Sequence, residues 1–137
     1  MCLAGAVGAG AELLAAKPDS DVHAYYVWVP MLPSDNATAA GEASHRLAEP
    51  RATHYWDGDR PLSRRMAVEL GIDSRRSAGA GAAPAFAWDV YLAYWRGSAS
   101  IWAPDLWMHQ LAVDHAPRFE PASWRRRITE MLGESGV

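Results

Sequence analysis

Apolar and polar residues change their period along this chain, and each change marks an element. Over residues 4–16 (AGAVGAGAELLAA) the small residues with Leu13 and Leu14 suit a helix, and Gly5, Gly8 and Gly10 allow close packing against a sheet. Pro18, Asp19 and Ser20 end it. Residues 22–29 (VHAYYVWV) are β-branched and aromatic with little polar alternation, the pattern of a strand covered on both faces. Pro30 and Pro33 stop that strand, and Ser34, Asp35 and Asn36 supply caps for a second helix reaching about residue 48.

Residues 52–56 (ATHYW) form a second short strand, and Asp57, Gly58 and Asp59 a turn. Over residues 62–70, Leu62, Met66 and Leu70 with Ala67 make one stripe of a helix that Gly71 ends. Residues 74–83 are arginine, serine, glycine and alanine only, a surface loop by composition. Pro84 leads into residues 86–95 (FAWDVYLAYW), the most apolar strand expected. Arg96, Gly97 and Ser98 give a hairpin turn, and residues 99–102 return antiparallel. Residues 106–111 (LWMHQL) are a short apolar segment of unassigned type. Pro121 opens a last helix over 122–132, with Trp124, Ile128, Met131 and Leu132 on one face and Arg125, Arg126 and Arg127 largely on the other.

Alternation of strands and helices demands parallel pairing with right-handed crossovers, so the class is α/β with an antiparallel edge. With 137 residues, half of them apolar, the chain reads as a single domain, 1–137. A net charge of -3 argues against nucleic acid or an anionic membrane as partner. A single cysteine excludes an internal disulfide and a thiolate zinc site, and the five histidines lack metal-binding spacing, so neither metal nor cofactor is indicated. No apolar run approaches the roughly 20 residues of a membrane span. The opening lacks a basic region and carries Glu12, which argues against a signal peptide and makes the cytoplasm the expected compartment.

Cys2 stands directly before the first helix; VHAYYVWVP, THYWDGDRPLSRRMAVELGI and PAFAWDVYLAYWRGSASI then follow in order. Over residues 2–102 this arrangement resembles the thioredoxin-like superfamily, in the branch of peroxiredoxin-like and TlpA-like thiol oxidoreductases. The resemblance implies a mixed sheet with helices on both faces, a closing β-hairpin and a C-terminal helix. In that family a strand runs into a C-x-x-C motif opening a helix. Here, if Cys2 holds the first position, Gly5 stands at the second; if it holds the second, its partner precedes Met1. The strand that delivers the cysteines is missing as well, so the chain reads as N-terminally truncated relative to the family. Unpaired buried backbone groups cost about 1–3 kcal/mol each. The flanking strands pairing directly, a partner's strand, or sequence upstream of Met1 would fill the gap, and the last is favoured.

The resemblance gives Cys2 the role of a catalytic thiolate that attacks a disulfide, an external thiol such as glutathione resolving the product. It places Pro84, Trp88 and Asp89 on the substrate or partner face. The alternative is a non-catalytic binding module for a protein or small-molecule partner, and a strand-paired homodimer is a third arrangement. Asp89, within an expected buried strand, is either a proton relay or a strand-end carboxylate bonded to backbone or arginine. His54 and His109 either line a cleft or serve structure. Most of the seven tryptophans should be core, with Trp95, Trp102 and Trp107 grouped around the hairpin.

Overall fold

The computed structural model describes residues 3–72, 86–110 and 116–133. Cys2, Pro84 and the expected loop over 74–83 lie outside them. The architecture is mixed α/β, and the chain divides into two compact units, Met1–Ser63 and Arg64–Val137.

In the first unit α1 (Leu3–Ala6) runs through a π-helical stretch (Val7–Ala11) into α2 (Glu12–Ala16). The Glu12 N–H donates to the Val7 carbonyl five residues back, the signature of a widened turn. Glycine is required inside it: a Cβ on Gly10 would stand 2.0 Å from the Tyr26 hydroxyl oxygen. β1 (Ala24–Trp28), α3 (Ala37–Arg46) and β2 (Ala52–Trp56) follow as a β-α-β unit, the strands pairing in parallel from Ala24 opposite Ala52 to Trp28 opposite Trp56. Asn36 caps α3, its side-chain oxygen accepting the Ala39 N–H at 3.0 Å.

One face of the β1–β2 ladder carries Tyr26, Trp28 and Trp56, which pack with Leu3, Val7, Ala40 and Leu47. The other face is open: Tyr25 is 66% and Tyr55 52% exposed. β1 is therefore covered on one face only, against the expectation of two. Its inward and outward positions are both aromatic or β-branched, so the period of two is hidden in the sequence.

α4 (Pro61–Glu69) starts where Asp57 provides its cap. That buried carboxylate accepts the Leu62 N–H at 3.2 Å and the Ser63 N–H at 2.8 Å. The Asp57-Gly58-Asp59 segment is thus a turn feeding a helix. In the second unit Met66, Ala67 and Leu70 join Ile72 and Ala87 in a core against which Val90, Leu92, Trp102 and Trp107 pack.

Two corrections concern the hairpin. The strand expected over 86–95 is only β3 (Val90–Ala93), and its antiparallel partner is β4 (Leu106–His109), not residues 99–102. Residues 94–105 instead form a loop closed on itself. Asp105 accepts the Trp95 N–H at 2.8 Å and the Ser98 hydroxyl at 2.6 Å, while the Tyr94 hydroxyl donates to the Ile101 carbonyl. α5 (Pro121–Met131) buries Trp124 and Ile128. Tyr91 stacks on Phe119 at 3.7 Å, and Trp124 meets both rings edge-on.

Candidate functional site

Chemistry-bearing side chains gather where the chain enters β3. Asp89 lies one residue before the strand with φ 50°, a left-handed conformation uncommon outside glycine but tolerated by Asp and Asn. Its backbone carbonyl accepts the Gln110 N–H at 3.0 Å, which carries the ladder one pair past Val90 and His109. Asp89 is therefore a strand-start residue rather than one inside a buried strand. Loss of water around its carboxyl raises its pKa above the usual aspartate value.

Across the ladder His109 is buried, and burial lowers its pKa. The Trp88 ring meets the His109 imidazole edge-on, centroids 6.3 Å apart and planes at 73°. Diagonally across the ladder the Tyr91 hydroxyl donates to the Gln110 side-chain carbonyl at 3.0 Å. The two desolvated groups are shifted in opposite directions, and both shifts favour the uncharged form. A neutral imidazole offers one donor and one acceptor, and a protonated carboxyl offers a donor and an acceptor. The Trp88 ring adds an apolar surface beside the imidazole.

Of the residues singled out in the sequence, the structure brings Trp88 against His109, sets Asp89 at the strand start beside them in the chain, and adds Gln110. Gln110 is invisible in the sequence because its place depends on the β3–β4 register, which the misplaced return strand conceals. Trp102 and Trp107 pack on the second-unit core, whereas Trp95 is 51% exposed. α1 opens at Leu3, directly after Cys2, and Gly5 is buried.

His54 belongs to a different cluster. Its Nδ1 accepts the Trp28 indole N–H at 3.2 Å, and its ring stacks on Tyr26 at 4.8 Å. Beside it Arg51 reaches the end of α2: one guanidinium nitrogen donates to the Lys17 and Ser20 carbonyls, another to Leu14 at 2.8 Å. Glu49 holds that guanidinium through Nε at 3.1 Å. Burial, reinforced by the Glu49 charge, raises the Tyr26 pKa. Arg51, Trp28 and His54 Nδ1 are committed within the cluster or to a helix terminus, which serves structure, while His54 Nε2 and Glu49 Oε2 are buried without a hydrogen-bond partner among the described residues.

Among the described residues no three His, Cys, Asp or Glu side chains are placed to hold a metal ion, and no helix is long and apolar enough to cross a membrane. Compared with protein-family models, curated proteins and solved structures, the chain matches none.

Proposed function

We propose that the chain is a thioredoxin-like binding module that holds a peptide-like partner at the entry to β3. The observation that carries this reading is the left-handed backbone at Asp89, whose carbonyl accepts the Gln110 N–H, with the Trp88 ring one residue before it meeting His109 edge-on. Such backbone costs on the order of 1–3 kcal/mol and collects at ligand-binding positions. A parallel β-α-β unit and a later antiparallel strand pair are consistent with that reading, although the four strands lie in two separate two-stranded sheets rather than the single mixed sheet the resemblance implies.

A redox role through Cys2 is the second reading, favoured by its place in the sequence directly before the residues of α1, since amides at a helix start stabilise a thiolate. The Cys2 thiolate would attack one sulfur of a substrate disulfide, breaking the S–S bond, and the other sulfur would leave as a thiolate. Glutathione, the reductant, would then attack the mixed disulfide and release Cys2. Alkylation of Cys2 across pH, with an insulin-reduction assay in glutathione, separates the readings. The binding module predicts a thiol pKa near ~8.5 and no turnover. A depressed pKa with turnover lost in Cys2→Ser would overturn it.

A further inference from the structure

Beside β4 the second unit carries a cleft of about 360 Å³, bordered by Leu106, Trp107 and Pro117 on one side and by Ser123, Arg126 and Arg127 on the other. Its volume falls at the small end of ligand-binding pockets. Positions 123, 126 and 127 share one face of α5, while Trp124 and Ile128 anchor the helix in the core. We propose that this cleft binds an acidic peptide segment, with a carboxylate on the Arg126 and Arg127 guanidinium groups and a neighbouring apolar residue over Leu106 and Trp107. The inference goes beyond the proposed function and shares no residue with that site.

Charge complementarity selects this occupant. Arg126 and Arg127 face one acid, Glu130, at 3.9 and 3.7 Å, and all three side chains are more than half exposed. Contacts of that length and exposure are worth little, so exchanging Glu130 for a ligand carboxylate sacrifices little. Two guanidinium forks side by side offer the planar, bidentate geometry that carboxylates accept. Asp105, also on the cleft wall, is fixed as an anion by the Ser98 hydroxyl and the Trp95 N–H. It repels a carboxylate from its own end and so orients the ligand.

The experiment is fluorescence anisotropy of the full chain with a fluorescein-labelled peptide of alternating leucine and glutamate, and with its glutamine counterpart. The expected result is saturable, sub-millimolar binding of the glutamate peptide that is weakened at least ~10-fold by Arg126→Gln with Arg127→Gln. Arg46→Gln with Arg64→Gln removes the same charge from exposed residues that do not line the cleft, and should change the affinity by less than about 2-fold. Circular dichroism establishes that both variants fold, and the exposed arginines they replace carry no core packing. Absence of saturable binding, equal binding of the glutamine peptide, or equal weakening by the two double variants would each overturn the proposal.

Discussion

At Gly10 the space for a side chain is already taken by the Tyr26 hydroxyl, and the backbone of the π stretch leaves little room for retreat. Gly10→Ala should destabilise the chain by about 1–3 kcal/mol, as overpacking does. Gly41→Ala, in α3 with nothing within 4 Å of the added carbon, should stabilise it by up to about 1 kcal/mol. Urea unfolding midpoints of the two variants, moving in opposite directions, check both. Asp89 is legible in sequence as a carboxylate inside an apolar run, but its conformation and neighbours are not, because they arise from a ladder register no local pattern encodes. Its raised pKa means the fold favours the protonated form more than the unfolded chain does. The stability it contributes is present below the unfolded value of 3.8 and is lost as pH rises through the higher folded value. Asp89→Asn keeps the side-chain shape, tolerates the left-handed backbone and does not titrate. Its stability advantage over the parent should therefore grow as pH rises above about 4 in chemical denaturation, and a constant difference would refute the assignment.

Elements were legible where their boundaries are chemical. β2 occupies residues 52–56 as expected, because Pro50 and Asp57 bracket five residues of strand composition. α5 begins at its proline and buries the stripe of Trp124 and Ile128 that its spacing predicts. The hairpin was misread for an equally physical reason. Gly97 and the apolar residues 99–102 form a plausible local turn and return, yet Asp105 reaches back to Trp95 and Ser98 and postpones the return to Leu106. Long-range polar contacts of this kind have no sequence period. Arg51 is another: a residue just ahead of β2 that closes α2 by binding carbonyls of Leu14, Lys17 and Ser20. Arg51→Ala should cost about 2–4 kcal/mol, since it strips charged donors from three carbonyls and leaves Glu49 without its partner. Arg51→Lys should recover less than half of that loss, because one ammonium cannot span carbonyls that two guanidinium nitrogens reach. Thermal unfolding of the pair measures both, and full rescue by lysine would reduce the clamp to simple charge.

For the molecule as a whole, burial and hydrogen bonding set successive losses of stability on acidification. His109 has a lowered folded pKa, so its contribution is complete above the unfolded value of 6.5 and is lost as pH falls through the folded one. Asp35, which accepts the Met31 and Leu32 N–H groups, and Asp105 have lowered values and lose their contributions only below 3.8. Stability should therefore decline in two stages on acidification, the first of them absent in His109→Gln; a single stage in the parent chain, followed by denaturant titration from about pH 7 to 3, would contradict this. The π stretch has a consequence for the chain's tolerance of altered length. A turn closed five residues back holds one residue more than an α-helical turn, so removing Ala9 lets the same two helical ends close with ordinary bonds and keep their facing. The same deletion within α3 or α5 would swing the rest of the helix away from its buried stripe. The first helix thus contains a splice point, one residue deep, at which the polypeptide can be shortened without rotating Leu13 and Leu14 out of the core.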